Sequence, residues 1–218
     1  GVVRLVGVWL TGTFYAWVFT GIFVALWIGM LSFYDVSNVT RHGTNLLAKV
    51  KKIKAAYLGM VIAHLGVAVM IVGVVVVSDY SIEKDLRMTV GESKTFGDYR
   101  FEMQNSEDSS KENYQATMVT FNVFKEDEMI LTMKPEKRYY LAGRQLMTEA
   151  AIDATLFRDL YVSLGESLDA SGTTWSVRIY IKPFIRWIWL GAILMGFGGF
   201  ISIMDKRYKN LKEKTKND

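Results

Sequence analysis

The grouping of apolar residues into three long blocks constrains this chain more than any other feature. Leu5–Phe33 (LVGVWLTGTFYAWVFTGIFVALWIGMLSF), Tyr57–Ser78 (YLGMVIAHLGVAVMIVGVVVVS) and Phe184–Met204 (FIRWIWLGAILMGFGGFISIM) are nearly free of charge. The hydrocarbon core of a bilayer is about 30 Å thick, so a helix rising about 1.5 Å per residue crosses it in about 20 residues. Each block is long enough. The sequence therefore predicts a membrane protein with three transmembrane α-helices, at 1–34, 57–78 and 184–204.

Lysine and arginine predict its orientation. Arg41, Lys49, Lys51, Lys52 and Lys54 lie between the first two blocks, and Lys206, Arg207, Lys209, Lys212, Lys214 and Lys216 follow the third. Basic residues beside membrane ends are retained in the cytoplasm. The 35–56 loop and the 205–218 tail are thus expected inside and residues 79–183 outside, the membrane being the bacterial cytoplasmic (inner) one. The net charge of +4 draws its excess from this loop and tail. Membrane lipids with anionic headgroups are the natural partner there, and no nucleic acid is required.

Residues 79–183 change texture to short alternating runs with turn residues. Arg87–Val90, Thr95–Met103, Thr117–Phe124, Met129–Met133 and the alternation of Trp175, Val177 and Ile179 read as strands. Asn105–Asn113 reads as a polar loop and Lys125–Glu128 as a hairpin turn, while Leu146–Gly165 suits helix and strand equally. Strands at this spacing predict a small extracytoplasmic β-rich domain, a sandwich or barrel-like fold. Short joints, Val77–Tyr80 and Lys182-Pro183, are expected to hold it near the membrane, with Pro183 in the first turn of the third helix.

His64 is the one ionisable residue inside the second block. A polar side chain in hydrocarbon is costly and marks function by default, and imidazole is the usual axial ligand of haem iron. A neutral histidine hydrogen-bonded to a neighbouring helix would occupy the same position, and position alone leaves both readings open. Gly59, Gly66 and Gly73 form one stripe that permits close helix packing. His64, Met60, Ala68 and Ile71 lie on roughly the opposite face. His42 reads as a solvated loop residue, and the acids Glu149, Asp153, Asp159 and Glu166 near Arg144 and Arg158 as an ion-pair network. With no cysteine in the chain, it can neither exchange thiols nor bind metal through thiolate sulfur. No nucleotide loop, zinc spacing or nucleophile elbow is present, so the catalytic residues are unknown.

Several motifs in order carry a resemblance to a known family. GMVIAHLG at 59–66, YSIEKD at 80–85, EKRYY at 136–140, MTEAAID at 147–153 and RDLYVSLGE at 158–166 are followed by WSVRIYIKPFIRWIWLG at 175–191 and DKRY at 205–208. Together they resemble the C-terminal part of the CcmF/NrfE family, the haem-lyase subunit of cytochrome c maturation. The resemblance implies covalent attachment of haem to apocytochrome c, with His64 as axial ligand of a membrane-embedded b-type haem. It also implies, as partners, a haem chaperone, thiol-handling maturation subunits, apocytochrome c and the rest of the CcmF-type protein or its N-terminal subunit. The family's tryptophan-rich motif and second intramembrane histidine are not among these residues. A fragment or a separately encoded subunit is therefore the expectation, with the second haem ligand outside this chain and no catalysis by the chain alone. The alternative function is a non-catalytic membrane scaffold docking apocytochrome and the thiol-handling subunits.

Overall fold

The computed structural model describes residues 12–40 and 54–205. The chain divides into two compact units, one helical and one made of residues Tyr80–Pro183. Among the described residues the helical unit has α1 (Gly12–Thr40), α2 (Ala55–Tyr80) and α3 (Ile185–Ile203). All three contain stretches long and apolar enough to cross a membrane. α1 continues past residue 34 to Thr40, its later turns including Asp35 and Ser37, whose hydroxyl donates to the Tyr34 carbonyl at 2.7 Å.

The glycine stripe of α2 lies against α3, where two of its three members, Gly59 and Gly66, meet Gly198 and Gly191, a pair with the same spacing. A Cβ built on Gly66 would stand 2.7 Å from the Gly191 carbonyl oxygen and 2.7 Å from the Met195 nitrogen. Gly59 faces the Gly198 carbonyl in the same way, and Gly73 faces the backbone of Ile188. Side chains at these positions would push the two backbones apart, so glycine is required by the close approach. The opposite face of α2 packs on α1, with Val75 filling the space beside Gly21.

The second unit is an antiparallel β-sandwich, which settles the choice between sandwich and barrel-like. Its strands are β1 (Ile82–Thr89), β2 (Ser93–Phe96), β3 (Tyr99–Ser110), β4 (Tyr114–Lys125), β5 (Glu128–Met133), β6 (Glu136–Tyr140), β7 (Gln145–Glu149), β8 (Ala151–Ala154), β9 (Arg158–Ser167) and β10 (Thr174–Pro183). One sheet has the order β1-β10-β9-β8; the other runs β2-β3-β4-β6-β7, with β5 also paired to β4. Phe101 and Met103 of β3, Phe121 and Val123 of β4, Leu160 and Val162 of β9, and Val177 and Ile179 of β10 are fully buried between the sheets. Burying each such side chain contributes about 1.5–3 kcal/mol.

Three local expectations are corrected. Asn105–Asn113 is mostly strand: β3 runs to Ser110 as one arm of a hairpin with β4, and Asp108 there accepts the Thr117 hydroxyl at 2.7 Å. Its strand part is polar because this end of the hairpin is exposed, and the chain turns only at 111–113, between β3 and β4. Thr95–Met103 is broken at Gly97, whose φ of 60° reverses the chain between β2 and β3. Pro183 closes β10, and Phe184, with φ 57°, precedes α3 in the left-handed region. The hairpin at Lys125–Glu128 is present, with Glu126 and Asp127 both at positive φ, as a two-residue hairpin loop of matching twist requires.

Candidate functional site

His64 sits in the first half of α2, on the face away from the glycines. Its Nδ1 lies 2.8 Å from the Met60 carbonyl oxygen, one turn back in the same helix. A carbonyl can only accept, so Nδ1 is the donor, and in the neutral ring Nε2 keeps its lone pair. The partner is thus the histidine's own helix, not the neighbouring helix considered from sequence. A ring nitrogen fixed on a backbone carbonyl sets the tautomer and orients the other nitrogen toward a metal.

The surroundings are apolar with a few polar groups. A cavity of about 230 Å³ is lined by Ile28, Leu31, Ser32 and Asp35 of α1 and by Met60, Val61 and His64 of α2. His64 itself is exposed on the helix surface, flanked by Met60 and Leu65, each 39% exposed. This donor set fits one side of a haem iron: an imidazole held through Nδ1, with Nε2 turned to the open helix face and soft or aliphatic neighbours for the macrocycle. His64 stands alone as a candidate ligand: no group of three or more His, Asp or Glu side chains that could hold a metal ion occurs among the described residues. His42 lies outside the described residues.

The expected ion-pair network of the β-domain is present in part. Arg158 pairs with Asp153, while Glu149 pairs with Arg138 at 3.5 Å, not with Arg144 or Arg158. Arg138 also holds Glu136 at 2.7 Å and packs over the Tyr114 ring at 4.9 Å. Glu166 enters no ion pair among the described residues and lines a cleft instead. Sequence reasoning missed that cleft, because it forms where two strands from different sheets diverge.

Comparison with known proteins follows the same outline. A family model described as the CcmF C-terminal beta-sandwich matches residues 79–183. The chain is 40% identical over 201 residues to the cytochrome c-type biogenesis protein CcmF of Pseudomonas aeruginosa, covering 92% of this chain and 30% of that protein. It is 39% identical to the CcmF of Escherichia coli, over 87% of this chain and 28% of that protein. It is 33% identical to the NrfE of Haemophilus influenzae, over 74% of this chain and 25% of that protein. A solved structure titled "Cytochrome c Heme Lyase CcmF" superposes with a TM-score of 0.67 at 14% identity, over 83% of this chain and 29% of that one. The chain thus spans under a third of the length of these relatives.

Proposed function

Because this chain carries the C-terminal region of the CcmF/NrfE family, we propose that it serves cytochrome c maturation as the C-terminal portion of a membrane haem lyase. In this reading His64 is one axial ligand of a b-type haem whose other ligand lies outside this chain. The observation that carries it is the Nδ1 contact to the Met60 carbonyl at 2.8 Å, which leaves Nε2 free on an apolar helix face. When bound, such a haem supplies a one-electron couple within the membrane. This chain's own part is to hold the imidazole in one tautomer and to surround it with Met60, Leu65 and Val61.

The proposed setting is the bacterial inner membrane, with the basic 35–56 and 205–218 segments on the cytoplasmic side and residues 79–183 outside. The β-domain would then stand on the side where apocytochrome c, the haem chaperone and the thiol-handling subunits act. The test is the pyridine haemochrome and reduced-minus-oxidised spectrum of the detergent-purified chain. It is taken with and without the N-terminal remainder, for wild type and His64→Ala. A b-type haem that is present with the remainder and lost or weakened in the variant supports the ligand assignment. Haem indifferent to His64, or none in either preparation, overturns it and leaves a docking scaffold as the function.

A further inference from the structure

The two sheets of the β-domain diverge at one seam. β8 pairs with β9 only from Ala151↔Val162 to Ala154↔Asp159. Beyond this, Ser163–Ser167 of β9 pairs with β10 on one side and has no strand on the other. β7, which precedes β8 directly in the chain, is the end strand of the opposite sheet and pairs only with β6. One tie crosses the seam, from the Thr148 hydroxyl to the Leu164 carbonyl at 3.2 Å. Apart from this bonded Leu164 carbonyl, two strand edges with no neighbouring strand thus border a cleft of about 840 Å³.

The floor of the cleft comes from the register of the larger sheet. Asp108, Thr117 and Lys137 stand side by side across β3, β4 and β6, and Gln115, Tyr139 and Leu146 form the next row. Glu166 and Trp175 contribute from the other sheet. Tyr139 is 38% and Leu146 57% exposed, leaving two apolar surfaces uncovered beside the open edge. Two carboxylates, Asp108 and Glu166, and one cation, Lys137, line the cleft. The acidic excess favours a basic ligand.

A row of free N–H and C=O groups at strand spacing is complemented by another extended backbone, and alternate side chains of that strand then meet the pockets beside the edge. We propose that the cleft between β7 and β9 takes a short extended segment of another polypeptide, bearing basic and apolar side chains, as an added strand. The lining residues all belong to the β-domain and none to the helical unit that carries His64, so loss of haem in a His64 variant is expected to leave this binding unchanged.

The test is a fluorescence-anisotropy titration of the full 218-residue chain in non-ionic detergent. The probe is a labelled peptide of about eight residues, alternating threonine and lysine around a central leucine, the length of a typical strand. Its controls are the same peptide with glutamate for lysine and the same peptide N-methylated at alternate backbone nitrogens. The basic peptide is expected to bind saturably, and the acidic and N-methylated peptides at least about tenfold more weakly. Glu166→Lys should weaken the basic peptide by about fivefold or more and strengthen the acidic one. The N-methyl comparison requires no change to the protein, so a misfolded variant cannot decide the outcome. Absence of saturable binding, equal binding of the N-methylated peptide, indifference to Glu166→Lys, or a seam already filled by a second copy of the chain would each overturn the proposal.

Discussion

Asp205, just beyond α3, accepts the backbone N–H of Ala56 in the first turn of α2, with Oδ2 2.9 Å from the nitrogen. The first N–H groups of a helix have no partner within the helix, and a carboxylate there also meets the positive end of the helix dipole. A side chain from one helix thus caps another, in the same pair that the glycines bring into contact. Asp205→Ala should destabilise the helical unit by about 1 kcal/mol and Asp205→Asn by less. The measurement is the midpoint of unfolding on titrating sodium dodecyl sulfate into mixed micelles, followed by far-ultraviolet circular dichroism.

The glycine contacts predict a sharper effect. Gly66→Ala places a methyl 2.7 Å from backbone atoms of α3, and backbone cannot rotate out of the way. The helices must separate, at a cost of about 1–3 kcal/mol. Gly196→Ala, in α3 with nothing within 4 Å of its added Cβ, should leave the midpoint unchanged. Equal effects in the same titration would show that helix propensity, not close approach, governs these positions.

The contrast between those glycines shows what could be read in advance. The stripe at Gly59, Gly66 and Gly73 is visible because helical spacing converts sequence intervals directly into a face. Its partners Gly191 and Gly198 share the interval but belong to another helix, and nothing local says which helices meet. In the β-domain, Phe121 and Val123 sit in a well-alternating strand because one face is fully buried. The stretch Leu146–Gly165, open to helix or strand in sequence, holds most of β7, all of β8 and most of β9. β7 and β8 are edge strands with exposed Leu146, Met147 and Ile152, so burial imposes no period of two on them, whereas Leu160, Val162 and Leu164 of β9 do alternate into the core. The cleft was invisible for a related reason. It depends on where β7 leaves β9, which is a property of register and not of either strand's composition. His64 was legible as a residue, whereas the Met60 carbonyl that fixes its tautomer was not.

Acid should loosen the β-domain. The guanidinium of Arg178 donates to both oxygens of Asp85, at 2.6 and 2.9 Å, and holds that carboxyl below its usual range. Glu92 is lowered chiefly by the Thr89 backbone N–H at 3.0 Å, then by Lys94. Asp169 is lowered most by the Thr173 hydroxyl, then by the Thr174 N–H, within the β9–β10 loop. Each group titrates lower folded than unfolded. Its stabilisation is therefore complete above the unfolded value near pH ~4 and is lost as pH falls through the folded value. Thermal unfolding at constant ionic strength should show the domain losing stability from about pH 5 downward. Asp169→Asn should flatten that slope and lower the neutral-pH plateau. A wild-type curve that is flat in acid would refute the assignment.

The role proposed for His64 makes a prediction that simple damage to the helix would not. His64→Gly removes the side chain and opens space on an already exposed face of α2. If the imidazole serves only as an iron ligand held by the Met60 carbonyl, free imidazole can enter that space and supply Nε2 from solution. The chain is produced together with the N-terminal remainder of the protein, in which the other ligand is proposed to lie. His64→Gly should then show a weakened b-type spectrum, restored by millimolar imidazole toward the wild-type Soret position. His64→Leu, which refills the space with an apolar side chain, should not be rescued. Restoration of both variants, or of neither while haem content stays at wild-type level, would mean that His64 does not ligate the iron, and its carbonyl-bound imidazole would then be a packing element of α2.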